Sequence, residues 1–118
     1  MSYLFFDIES ANRHNKTAKM YSFGYVLTDS KFKVIKMEEI IINPEADYYF
    51  NKKEEGHVYI PCPISKEVMD KAKTLPDNYE RIKQLVSNNL CIGYGTAIDA
   101  HMLHESCKRY GLGSMKFD

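Results

Sequence analysis

The sequence has no surplus of charge of either sign. Sixteen Lys and Arg residues balance sixteen Asp and Glu. A net charge of zero speaks against the broad basic footprint that coats a nucleic-acid duplex, so any nucleic-acid contact must be local and helped by bound cations. Cysteine is scarce. Cys62, Cys91 and Cys107 are odd in number, widely spaced and free of any CxxC pattern. That favours reduced thiols in a cytoplasm over a disulfide framework or a zinc site. A leader-like segment is also lacking. No basic stretch precedes the first apolar run, and Asp7 and Glu9 break that run at once. It reads as neither a signal peptide nor a membrane span. There is no repeat and no low-complexity tract.

What is present is an ordinary globular composition. The 118 residues are 44% hydrophobic and 27% charged, which predicts one core and one domain over residues 1–118. Residues 3–8 read as a buried strand, and "MYSFGYVLTD" (20–29) as a second. "KVIKMEEIIINPE" (33–45) reads as a third, stopped by Asn43-Pro44. Short links predict an antiparallel meander. Periodicity is lost from Ala46 to Pro63. "SKEVMDKA" predicts a short helix capped by Ser65. "PDNYERIKQLVSN" predicts another, with Tyr79, Ile82, Leu85 and Val86 on one face. "NLCIGYG" (89–95) reads as a short buried strand. A last helix follows, with Ala100, Leu103, Cys107 and Tyr110 as its core stripe and Gly111 as its stop. Three strands followed by helix, strand and helix predict an α/β fold with one crossover.

The chemistry centres on "YLFFDIES" (3–10). Alternation along a strand puts Asp7 and Glu9 on one face, about 6.5–7 Å apart at Cα. Oxygen ligands at that spacing suit Mg²⁺ or Mn²⁺. Taken alone, the pair also fits a strand end whose acids are simply hydrated, and Glu45-Ala46-Asp47 repeats the spacing in a loop. Asp99 opens the last helix directly after a strand, where an acid suits the helix dipole as a cap. Together the three acids form a carboxylate arrangement drawn from two distant parts of the chain.

At these residues the chain resembles the DEDD 3′–5′ exonucleases, the superfamily of the proofreading subunit of bacterial DNA polymerase III. "FFDIES" resembles their first motif, and "IGYGTAIDAHMLHESCKRYGL" their second. "YSFGYVLTD", "IIINPE" and "PISKEVMDKAKTLPDNYERIKQLV" resemble the connecting parts, so the likeness covers nearly the whole chain. It implies a ribonuclease H-like mixed sheet: an antiparallel three-strand meander, then helix, strand and helix. It also implies metal-dependent hydrolysis of phosphodiester bonds at the 3′ end of single-stranded DNA or RNA. Asp7 would bridge two Mg²⁺ or Mn²⁺ ions, Glu9 would hold the ion that activates water, and Asp99 would serve the other. Ser10 and Ala11 would present backbone N–H groups to the terminal nucleotide.

The likeness has gaps. Tyr94-Gly95 stands where the family often has His-Asn. The family's third motif supplies a fourth acid and a general-base His or Tyr well downstream of "YGL", and the chain reads as incomplete before it. The expectations are therefore inactivity in isolation and an exposed apolar face able to pair with a second copy. A non-catalytic, exonuclease-like binding module is the alternative. His101, His104 and Cys107 smear round their helix and offer no zinc set. Tyr48, Tyr49 and Phe50 could stack bases or pack on the domain.

Overall fold

The computed structural model describes residues 2–10, 19–45, 64–93 and 96–117. Its sheet is built from β1 (Tyr3–Ser10), β2 (Met20–Thr28), β3 (Val34–Ile41) and β4 (Leu90–Ile92). Helices α1 (Lys66–Lys71) and α2 (Leu75–Ser87) lie between β3 and β4, and α3 (Thr96–Arg109) follows β4. The four strands lie in the order β3-β2-β1-β4. The first three form the expected antiparallel meander, and β4 joins β1 in parallel. The expected single crossover is present, and the sheet is mixed.

Local chemistry sets the connections. Asp29 Oδ1 accepts the backbone N–H groups of Lys31 at 2.8 Å and Lys33 at 2.9 Å, closing the β2–β3 turn. Phe32 takes a left-handed φ of 63° there. Ser65 caps α1, its Oγ accepting the Val68 N–H at 3.3 Å. α3 ends where Gly111 adopts φ 69°. Leu112 N–H then bonds the Cys107 carbonyl and Gly111 N–H that of Lys108, which satisfies two carbonyls of the last turn.

The strand period of two sorts β1 cleanly. Leu4, Phe6 and Ile8 point inward and are buried, while Tyr3, Phe5, Asp7 and Glu9 point outward. The inner set packs with Phe23, Tyr25 and Ile40 of the sheet, Ile82 and Val86 of α2, and Leu103 and Cys107 of α3. Arg81 of α2 ties the layers polarly, pairing with Glu38 of β3, whose Oε1 also accepts the Tyr25 hydroxyl at 2.8 Å. The outer face stays apolar and open. Phe32 stacks on Tyr3 with centroids 4.8 Å apart, and Met37 of β3 is 72% exposed.

Several boundaries differ from the sequence reading. β1 runs on to Ser10, because β2 pairs with it as far as Met20. β3 stops at Ile41 and not at the proline. β4 is not buried. Only Cys91 turns toward the core, whereas Leu90 and Ile92 are each 37% exposed on the open face. In α2 the fully buried line is Leu75, Asn78, Ile82 and Val86, with Tyr79 and Leu85 half-buried. In α3 Ala100 and Tyr110 are half-buried, and Asp99 and Ser106 are buried. Among the described residues, no helix is long and apolar enough to cross a membrane.

The two sheet faces make a testable contrast. Truncating Ile82, which is fully buried, to Ala should cost about 2–5 kcal/mol in urea unfolding. Met37→Ala, on the open face, should stay within about 0.5 kcal/mol of the parent. Equal losses at both positions would show that the faces are misassigned.

Candidate active site

The end of the sheet near Asp7 is shaped by a mismatch of strand lengths. β4 stops at Ile92, opposite Phe5, while β1 continues to Ser10. Among the described residues, the edge of β1 beyond Phe5 therefore has no neighbouring strand on that side. α3 begins just past the end of β4, and Asp99 lies in its first turn. Because β1 and β4 are parallel, both strands point their carboxyl ends at this place, the usual location of ligand sites in α/β sheets. Asp99 fills the gap at the strand edge, accepting a hydrogen bond from the Ile8 backbone N–H.

The burial of Asp99 follows from helical spacing. Asp99, Leu103, Ser106 and Cys107 lie at i, i+4, i+7 and i+8, so the acid occupies the core-facing line of α3. It is 4% exposed. Its Oδ2 is buried without a hydrogen-bond partner among the described residues. Buried polar atoms are rarely left so, and a carboxylate oxygen is among the costlier ones.

The three acids feel one another's charge. Burial, followed by the charge of Asp7, pushes the Asp99 carboxyl up to about 6 from its ordinary 3.8. The Ile8 N–H works in the opposite direction and loses. Glu9 is raised as well, first by burial, then by the charge of Asp7 and a hydrogen bond to its carboxylate, and further by the charges of Asp99 and Glu39. Asp7 and Glu9 themselves are exposed on the outer face. The surplus negative charge, the all-oxygen donor set and the unpartnered Oδ2 suit a hard divalent cation. The acids do not yet form a closed shell. Among the described residues, no three His, Cys, Asp or Glu side chains are gathered closely enough to hold an ion.

The other sequence candidates separate. Ser10 ends β1, and its Oγ accepts the Lys19 N–H at 3.2 Å. Ala11, Cys62, Tyr94-Gly95 and the loop aromatics Tyr48, Tyr49 and Phe50 lie outside the described residues. His101 and His104 are exposed, His104 Nδ1 lying 2.8 Å from Ser114 Oγ, while Cys107 is buried and remote from them in environment. Glu39 was not singled out in the sequence. It faces Asp7 across Gly24, because Asp7 pairs with Gly24 and Gly24 with Glu39. Only strand register could have revealed it.

The repulsion at Asp99 has a direct consequence for the metal-free chain. Below pH 3.8 the group is protonated whether the chain is folded or not. Between 3.8 and about 6 the folded chain holds a proton that the unfolded chain has lost, so stability falls as pH rises through this window. Asp99→Asn removes that term while keeping an oxygen for Ile8. We expect the variant to melt above the parent at pH 7 in chelator, with the gain shrinking toward pH 4. A variant less stable than its parent at every pH would contradict the reading.

No family model matches the sequence, and no curated protein matches it. Solved structures do match the fold. The nuclease domain of 3'hExo, a DEDDh family member bound to rAMP, is 12% identical with a TM-score of 0.69, over 98% of this chain and 62% of that one. The 3'-exonuclease in a structure of 3'-end specific recognition of histone mRNA stem-loop is 13% identical with a TM-score of 0.67, over 96% of this chain and 54% of that one. E. coli Exonuclease I in complex with a dA16 oligonucleotide is 20% identical with a TM-score of 0.68, over 96% of this chain and 25% of that one. The chain thus spans at most 62% of the length of these structures. Its mixed sheet and flanking helices have the ribonuclease H-like fold of the DEDD 3′ exonucleases.

Proposed function

We propose that this chain is part of a DEDD-superfamily 3′–5′ exonuclease that hydrolyses nucleic-acid phosphodiester bonds with Mg²⁺ or Mn²⁺. The observation that carries the reading is the buried, unpartnered Oδ2 of Asp99 beside Asp7 and Glu9. A cation would stabilise an ionised oxygen in that state. Two divalent ions held by these acids would supply electrostatic stabilisation to the attacking and leaving oxygens of an in-line phosphoryl displacement.

The chain's own residues would hold those ions. Asp7 lies between the other two acids in influence, since its charge acts on both Glu9 and Asp99, which suits a bridging role. Glu9 would take the ion on the water side and Asp99 the other. The backbone of Ser10, at the end of β1, and that of Ala11 would orient the terminal nucleotide of a single-stranded DNA or RNA 3′ end. A cytoplasmic setting is part of the proposal and rests on the sequence reading of the three unpatterned cysteines.

General-base catalysis contributes roughly 10²–10⁴-fold, and the base and fourth acid implied by the family resemblance belong to its third motif. The 118-residue chain alone should therefore leave a 5′-labelled single-stranded oligonucleotide intact in Mn²⁺. A form extended by the family's third motif should shorten it from the 3′ end in a ladder that Asp7→Ala abolishes. A metal-dependent ladder from the short chain, lost in Asp7→Ala, would mean that a base lies within these residues. Binding without a ladder from either form would favour the alternative, an exonuclease-like binding module. The open carboxylate set is the feature that keeps this alternative in view.

A further inference from the structure

The outer face of the sheet carries a further acid in the same row as Asp7. Asp7, Gly24 and Glu39 form one row across β1, β2 and β3. Two interstrand steps place the Cα atoms of Asp7 and Glu39 about 10 Å apart on the same face. Glycine at the middle position puts no side chain between them. A Cβ built on Gly24 would meet only the Asp7 carbonyl, at 3.9 Å, so the space above it is open and not filled by a neighbour. The result is a shallow trough of about 570 Å³ walled by Asp7 and Glu39, with Phe5, Val26 and Met37 along its apolar side.

Glu39 is also held in position. The Ser22 hydroxyl donates to Glu39 Oε2 at 3.1 Å. Ser22 is 2% exposed and is the strand partner of Glu9. The hydrogen bond thus draws the Glu39 carboxylate along the sheet toward the Glu9 row. The adjacent Glu38 turns to the other face, where it pairs with Arg81 and Tyr25. Glu39 has no such basic partner among the ion pairs of the described residues. A solvated surface acid needs neither a buried serine to aim it nor an empty position beside it. The independent sign that this end of the sheet receives a cation is the unpartnered Oδ2 of Asp99.

We propose that Glu39, oriented by Ser22 across the gap at Gly24, is a positioning residue of the divalent-cation site that strengthens metal binding from the β3 side. This rests on the cation-site reading of Asp7, Glu9 and Asp99. Glu39 acts by charge at a distance, which adds attraction for a dication without occupying its ligand positions.

Calorimetric titration of the purified chain with Mn²⁺ tests the idea without any need for turnover. Coulomb attraction between one charge and a dication about 8 Å apart in water predicts roughly three- to tenfold weaker binding in Glu39→Gln. Ser22→Ala, which frees the carboxylate, should weaken binding in the same direction by less. Glu38→Gln serves as the control of equal charge on the opposite face and should weaken binding clearly less than Glu39→Gln does. Asp7→Asn should abolish binding. Unchanged affinity in Glu39→Gln, with binding lost in Asp7→Asn, would overturn the role of Glu39 and leave the cation site standing. Equal losses in Glu39→Gln and Glu38→Gln would also overturn it, since general charge would then explain both. Unchanged binding in Asp7→Asn would overturn the site itself, and Glu39 with it.

Discussion

A carboxylate placed on the core-facing stripe of a helix, with one oxygen satisfied by a strand edge and the other without a partner among the described residues, is the constraint around which this end of the molecule is organised. Asp99 would be cheaper to the fold as leucine. The charge of Asp7 adds to the burial in raising the Asp99 carboxyl, and Glu9 is raised by burial and by the charges of Asp7 and Asp99. Buried charges of this kind persist where something else balances them. The divalent cation proposed above would do so. It would accept the free oxygen, offset the mutual repulsion and turn a destabilising cluster into a binding site.

The rest of the architecture can be understood as the means of holding these acids in place. β1 must outrun β4 so that an edge is left for Asp99, and α3 must begin where β4 ends. The hydrophobic inner face, from Leu4 and Phe6 to Ile82 and Leu103, fixes the helix against the sheet and so fixes the acid against the strand. The outer face has the opposite character. It combines an acidic end with an apolar floor containing Phe5, Val26 and Met37 and is open to solvent. Large exposed apolar patches mark places where something docks. The matched solved structures are longer than this chain.

Much of this was legible in the residues themselves. The strand period put Asp7 and Glu9 on one face, and the Asn-Pro, Ser-cap and glycine signals located β3, α1 and the end of α3 to within a few residues. The missed features share one cause: each depends on a partner distant in sequence. Glu9 and Ser10 remain in β1 because β2 continues alongside them. Leu90 and Ile92 are exposed because only one face of β4 is covered, which an apolar tripeptide does not announce. Asp99 was recognised as a helix-opening acid. Its burial, however, follows from the inner line of α3 passing through Leu103 and Ser106, and not through Ala100 as its apolar residues suggested. Glu39 could not be found without register, since nothing in "KMEEII" separates it from Glu38.

The central claim is that the acids of β1 and α3 bind one cation cluster. Paramagnetic broadening of backbone amide signals by substoichiometric Mn²⁺ tests it most directly, because the effect falls steeply with distance and reports location as well as binding. The account predicts that Ile8, Glu9, Gly24 and Asp99 lose intensity first, while Gln84 and Asn88 at the far end of α2 keep theirs. Broadening centred on the exposed acids Glu67 and Asp70 of α1, with Asp99 unaffected, would contradict it.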